Sequence, residues 1–333
     1  MAITRISVSN FKSFDELELG LRPLSIVIGA NAAGKSNFLE IFRFLRDWFE
    51  QGLENAVSLQ GGMEYLANLR IGASRPVTLE FDVFSRNPFD PGSFSSRVVL
   101  ESQPGSPGFR GRTDLRDPRG EVCPEEIKAF DLDPGLAKKA IPLSGRAELE
   151  PDASNLAIVL RRLLQDDESR QRFIRVLRDC LPFVEDLRIE HFADKSLLIA
   201  LREQYSQASY LPAAFLSDGT IHLIALILAL YFERGDVVLI EEPERNLHPA
   251  LISKVAGLLK DASQHKQILV TTHNPELVKH ADLEDLLLVH RDEDGFSRVT
   301  RPAESAELRV FLENDLGVDE LYVQNLLGVG NAL

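Results

Sequence analysis

Residues 29–36 read GANAAGKS, directly after the apolar run LSIVI and just before NFLEIFRFLRDWFEQGL. They fit the pattern GxxxxGK[ST] at Gly29, Gly34, Lys35 and Ser36. LSIVI is continuous enough to be a strand at the centre of a sheet. Phe38, Ile41, Phe42 and Leu45 then recur at helical spacing. Strand, glycine loop, helix is the context in which such a loop wraps phosphate. Glycines let the backbone curl so that consecutive N–H groups, those of Ala30, Asn31, Ala32 and Ala33 included, point inward. The helix opening near Lys35, with Asn37 in its first turn, adds its positive end. Lys35 would reach the β- and γ-phosphates and the Ser36 hydroxyl would hold Mg²⁺. The stretch is expected to bind a nucleoside triphosphate.

Composition narrows the setting. The chain has 333 residues, 44% hydrophobic and 26% charged, as in soluble globular proteins. Its net charge of -14 gives no general attraction to DNA, RNA or anionic membranes, although a local basic groove is compatible with it. Cys123 and Cys180, with no CxxC, read as free thiols in a reducing compartment. The start, MAITRISVSNFKSF, is too polar for a signal peptide. The longest apolar run, Ile221–Phe232, is too short to span a bilayer. A cytoplasmic protein with no membrane segment is expected.

Organisation along the chain follows from periodicity. Ile3, Ile6 and Val8 alternate with polar residues as in a half-buried strand. Residues 87–120 are rich in Pro, Gly, Ser and Arg around a strand-like RVVLE, and read as an irregular insertion. Residues 152–182 show helical spacing, with no heptad pattern long enough for a coiled-coil arm. LEDLLLVHRDEDGFSRVT reads as two strands joined around Asp294 and Gly295. The expected layout is one domain in two lobes: 1–86, an insertion at 87–150, a helical region at 151–210, and 211–333.

Three further stretches bear on chemistry. VVLIEEPERNLHP places Glu241 and Glu242 at the C-terminal edge of a buried strand, where ligands bind in open α/β sheets. Glu241 would support the metal through water and Glu242 would polarise the attacking water; a surface strand-to-loop junction is the other reading. His273 follows the apolar strand QILVTT, and is either structural or a sensor of the γ-phosphate. LSDGT puts Ser217, Asp218 and Gly219 at a helix start, as an anion site or a plain cap.

In this order the stretches resemble ABC-type ATPases. ITRISVSNFKSF is similar to the N-terminal strand pair of the RecF, SMC and Rad50 group of heads. EEPERNLHP, TTHNP and DASNLAIVL resemble the compact AAA-21 and AAA-15 ATPases related to the ATPase part of OLD-family proteins. The resemblance covers nearly the whole chain outside 87–150. It implies an α/β P-loop NTPase fold: an ABC-type head with a mixed or antiparallel N-terminal β-lobe and a central, mainly parallel sheet flanked by helices. It makes Lys35 and Ser36 the Walker A pair, Glu241 and Glu242 the Walker B acids, Ser217–Gly219 the signature and His273 the switch histidine. Asn246, Leu247 and His248 fall in the D-loop region. Lys12, in NFKSF, stands where such heads often put a basic residue near the nucleotide, with a solvated lysine as the alternative. Gln60, in SLQGGMEYL, is the candidate metal-side glutamine of the Q-loop, with a plain loop glutamine as the alternative. Glu241 departs from the Asp usual in transporters and SMC proteins, a form common in the compact group.

The resemblance further implies a Mg-dependent ATPase using ATP and Mg²⁺. A homodimer would close through ATP and the signature, gating a separately encoded effector in prokaryotic defence against phage or plasmids. A RecF-like DNA-clamping ATPase is the alternative. It would need a basic surface, and the Arg-rich stretches at 110–119 and 161–178 are interleaved with acids. A transporter subunit and an appended nuclease domain are not expected.

Overall fold

The alternation at the start of the chain becomes β1 (Ala2–Phe11), which pairs antiparallel with β2 (Phe14–Gly20). These coordinates are a computed structural model that describes residues 1–85, 92–102, 108–115, 127–192, 196–206 and 209–304. Backbone contacts divide the chain into two units. The first comprises residues 1–128, 235–239 and those from 263 onward; the second comprises 129–234 and 240–262.

The first unit holds two sheets. One is antiparallel, in the order β2-β1-β4-β5-β6, with β4 at Val77–Ser85, β5 at Gly92–Ser102 and β6 at Phe109–Leu115. Residues 92–102 and 109–115, expected to belong to an irregular insertion, are therefore regular strands where they are described. Burial explains it: Ser96, Val98 and Leu100 all face inward at period two, with a serine in one of the three apolar places.

The other sheet runs β15-β14-β3-β13-β12-β7. Its strands are β3 (Leu24–Ile28), β7 (Ile127–Phe130), β12 (Val237–Glu241), β13 (Gln267–Thr272), β14 (Leu286–Arg291) and β15 (Ser297–Thr300). β3 pairs parallel with both β13 and β14, and β14 turns back antiparallel into β15 at Gly295, φ +79°. Every residue of β3 and β13 is buried, as expected for strands covered on both faces. The chain passes into the second unit at the C-terminal ends of β7 and β12.

Three helices follow β3: α1 (Lys35–Gln51), α2 (Leu53–Leu59) and α3 (Met63–Leu66). α1 buries Phe38, Ile41, Phe42, Phe44, Leu45 and Trp48. Phe44 meets Phe11 edge-on at 6.1 Å and Trp48 meets Phe81 at 6.2 Å. Each such buried side chain contributes about 1.5–3 kcal/mol, which fixes α1 on the antiparallel sheet and hence the loop at its start. Gln267 joins the two sheets: its carboxamide accepts from Ile3 N–H at 2.9 Å and donates to Ile3 O at 2.8 Å. A short α9 (Pro275–Lys279) follows β13.

The second unit sets α4 (Pro134–Ala137), α5 (Leu156–Leu163), α6 (Asp167–Cys180), α7 (Asp218–Tyr231) and α8 (Pro249–Ala262) around a small antiparallel sheet. In that sheet β10 (Ser196–Glu203) pairs with β8 (Ile141–Pro142), β9 (Val184–Phe192) and β11 (Leu211–Pro212). α5 and α6 occupy the stretch where helical spacing was read. α7 is buried all round from Thr220 to Leu230, so its apolar run is a core helix. Among the described residues no helix is long and apolar enough to cross a membrane. Cys180 is buried and its thiol pKa is pushed up by that burial. Cys123, residues 116–119 and residues 305–333 lie outside the described residues.

Candidate functional site

The glycine loop spans the end of β3 and the start of α1. Gly29 is buried, and a Cβ there would lie 2.3 Å from Val289 O. Ala32 and Gly34 take left-handed backbone angles, φ +61° and +116°. Such residues among right-handed ones turn successive N–H groups to one side of a concave loop. Asn31, Ala32 and Ser36 are exposed; Ala30, Lys35 and Asn37 are half-buried; Ala33 is buried. Lys35 Nζ donates to the loop's own carbonyls, Gly29 O at 2.9 Å and Ala30 O at 3.0 Å. The α1 ladder begins with Phe38 N–H on Gly34 O, which leaves the helix's positive end at the loop.

Beside the loop is a cavity of about 500 Å³ lined by Lys12, Asn37, Gln60, Asn68, Arg70 and Arg291, among others. It brings together three residues that the sequence singled out separately: Lys12, Asn37 and Gln60. Three of the lining side chains are cationic and none is a carboxylate, in a chain whose net charge is -14. Lys12 sits in a left-handed turn, φ +49°, with its N–H on Leu66 O. Its ammonium is half-buried, and among the described residues it forms no ion pair. Desolvation lowers its pKa, with the Glu40 charge opposing. A partly desolvated cation in a cavity whose lining holds no carboxylate suits an anionic ligand. Sequence reading missed Asn68, Arg70 and Arg291, which reach the cavity through tertiary packing. His273 is exposed at the end of β13 and is not among the cavity's lining residues.

The second unit holds the other motifs. Ser217 caps α7: its hydroxyl accepts from Thr220 N–H at 3.0 Å. Asp218 is ion-paired with Lys138. Gly219 packs against the turn after the acids, where a Cβ would lie 2.7 Å from Asn246 O. Glu241 ends β12 and is half-buried. Glu242 has φ +46° and accepts from Arg245 Nε at 3.1 Å, while Arg245 Nη1 reaches Asp131 at 2.8 Å. His248 Nδ1 accepts from Ala250 N–H at the start of α8.

His222 was not singled out from the sequence, yet it ties α7 to the same turn. It is 1% exposed and its Nε2 lies 2.9 Å from Pro243 O. Burial lowers its pKa, opposed by that hydrogen bond, so the neutral ring donates from Nε2. The available signal was one polar residue inside the apolar run Ile221–Phe232.

Residues 24–279 match the AAA-21 family, described as "AAA domain, putative AbiEii toxin, Type IV TA system". Endonuclease GajA of Bacillus cereus (strain VD045) is 20% identical, over 88% of this chain and 59% of that protein. Septu protein PtuA of Bacillus thuringiensis is 30% identical over 25% of this chain and 23% of its own length. The chain thus spans less than two thirds of either relative. An SMC head solved with the C-winged helix domain of ScpA aligns with TM-score 0.64 and 19% identity, over 90% of this chain and 97% of that one. The fold is therefore that of an ABC-type P-loop ATPase head, and the chain belongs to the AAA-21 family of ATPase domains.

Proposed function

We propose that the protein is a Mg-dependent ATP-binding and hydrolysing switch that closes as a homodimer with nucleotide between the copies and gates a partner protein. The observation that carries the reading is the carboxylate-free cationic cavity beside the GANAAGKS loop. The loop N–H groups from Gly29 to Ser36 and the Lys35 ammonium would hold the phosphates. Lys12, Asn37 and Gln60 would line the rest of the site, and Ser36, Glu241 and Gln60 would hold the metal. A bound Mg²⁺ would draw charge from the phosphate oxygens in the transition state.

The chain's own groups supply the rest. Glu242 would accept the proton of the attacking water, and the Arg245 guanidinium 3.1 Å away keeps that carboxylate oriented. His273 would sense the terminal phosphate. Ser217, Asp218 and Gly219 would act on nucleotide held by the second copy, so that ATP bridges two chains and hydrolysis releases them. A closed form that binds ATP better than the open one provides the coupling to a partner.

The family description and the defence role implied for the compact group favour a separately encoded effector as that partner. The endonuclease activity in GajA's name belongs to a protein of which this chain spans 59%, and is not carried over. A DNA-clamping role finds less support. The arginine-bearing groove formed by α6 and β9 sets Arg170, Arg175 and Arg178 among Asp167, Asp179, Glu185 and Asp186, which is no continuous basic track. The test is titration with a fluorescent ATP analogue. Wild type and Glu242→Gln should bind and Lys35→Ala should not; equal binding by Lys35→Ala would refute the site.

A further inference from the structure

The glycine loop is gripped from outside by the hairpin of β14 and β15, more than 250 positions downstream. Val289 O fills the space a Gly29 side chain would need. Ser297, fully buried, has its hydroxyl 2.6 Å from Ala33 O and 2.8 Å from Ser13 Oγ. Each hydroxyl carries one proton, so Ser297 donates to Ala33 O and accepts from Ser13. Ser297 N–H also donates to Ser13 O at 2.9 Å. Arg291 Nε donates to Ala32 O at 3.1 Å, and its Nη1 to Gly295 O at 2.7 Å. At Gly34 a Cβ would meet Ser297 Oγ at 2.2 Å and Ser13 Oγ at 2.9 Å, so the loop rests on the two hydroxyls with no space between.

These bonds have a directional consequence. In a trans peptide the N–H points opposite to the C=O of the same unit. Drawing the Ala33 carbonyl outward onto Ser297 turns the Gly34 N–H toward the concave side of the loop. The Arg291 bond holds the preceding carbonyl outward, and the Ala33 N–H of that peptide unit closes the turn of the loop on Ala30 O at 3.2 Å. From this geometry we infer that Ser297, Ser13 and Arg291 are positioning residues for the phosphate loop, holding its donors in the anion-binding arrangement before any ligand arrives. The inference rests on the reading that the loop takes a nucleotide. Preorganisation of this kind removes an ordering cost that binding would otherwise meet.

The experiment is titration of the full chain with the fluorescent ATP analogue, together with steady-state hydrolysis and melting of the nucleotide-free protein. Wild type, Ser297→Ala, Ser13→Ala, Arg291→Met and Arg291→Lys are compared. Losing one loop-holding hydrogen bond should weaken binding by about five- to ten-fold. Ser297→Ala should therefore raise Kd and KM by that factor with kcat nearly unchanged; Arg291→Met, which also removes a cation lining the cavity, should raise Kd and KM at least as much. Ser13→Ala, which leaves the Ser297 to Ala33 bond in place, should have a smaller effect. Arg291 lies nearer the surface, so it keeps the test open if Ser297→Ala does not fold: Arg291→Lys retains a cation at the cavity and loses the fixed Nε bond, and should still weaken binding if loop-holding is its role. Variants that melt lower but keep wild-type Kd and KM would assign a merely structural role and overturn the inference. Wild type that binds while every variant matches it refutes the inference alone. Wild type that fails to bind refutes the nucleotide reading and the inference together.

Discussion

Replacing Gly219 by Ala would place a methyl carbon 2.7 Å from the Asn246 carbonyl oxygen. Carbon and carbonyl oxygen normally approach no closer than about 3.3 Å, so the start of α7 or the turn after Glu242 must give by roughly half an ångström. The obstructing atom is backbone, and that turn is also held by the His222 bond to Pro243 O. Forced overpacking of this kind costs about 1–3 kcal/mol, less a few tenths recovered from the better helix former. Gly257, in α8, is the internal control: a Cβ there has nothing within 4 Å. Gly257→Ala should stabilise by about 0.5–1 kcal/mol. At about 2–4 °C per kcal/mol, calorimetry should show Gly219→Ala melting several degrees lower and Gly257→Ala slightly higher. Hydrolysis by Gly219→Ala should fall further than its stability loss explains, because the displaced segments carry Ser217 and Glu242. Equal melting temperatures for the two variants would refute the close approach and the reasoning built on it.

Glu242→Gln should retain nucleotide binding while single-turnover hydrolysis falls by at least about a hundred-fold; wild-type turnover would remove Glu242 as the base. His222 is held neutral by burial, with its pKa depressed, so its contribution to stability is present above about pH 6.5 and lost as pH falls through the lower folded pKa. His222→Gln keeps a donor for Pro243 O and should flatten the stability slope measured by urea unfolding between pH 7 and 5; an unchanged slope contradicts this. For Asp186, burial alone would raise the pKa, but hydrogen bonds from Tyr210 at 2.6 Å and Arg170 outweigh it and the net shift is downward. That stability is present above about pH 3.9 and lost as pH falls through the folded pKa. Tyr210→Phe should therefore cost about 1 kcal/mol at pH 7 and progressively less below pH 4, as read from denaturant midpoints.

What the sequence disclosed was whatever is local in the chain. GANAAGKS between strand and helix is one segment, so its curled backbone and the α1 face at Phe38, Ile41, Phe42 and Leu45 could be read before folding. The alternation of Ile3, Ile6 and Val8 likewise predicted a half-buried strand, and the Asp294–Gly295 signal a hairpin. What escaped depends on long-range register. Nothing near Ser297 or Arg291 says that their hairpin will lie against residues 32–34, because that contact is made by the pairing of β14 with β3. Asn68 and Arg70 reach the cavity by the same kind of tertiary placement. In residues 92–115 only RVVLE showed as strand-like; the Pro, Gly and Ser content masked the rest, since Ser96 takes an inward place that a branched residue would have made obvious. His222 showed only as an exception in an apolar run, and its bond to Pro243 O requires knowing that α7 packs on the turn after β12.

The proposed switch depends on nucleotide-driven closure between two copies. The most direct measurement is mass by light scattering on a sizing column for Glu242→Gln, with and without Mg-ATP. A monomer is expected without nucleotide and a dimer, or a larger assembly built from dimers, only with it. A protein that binds the fluorescent ATP analogue yet stays monomeric in saturating Mg-ATP would contradict it.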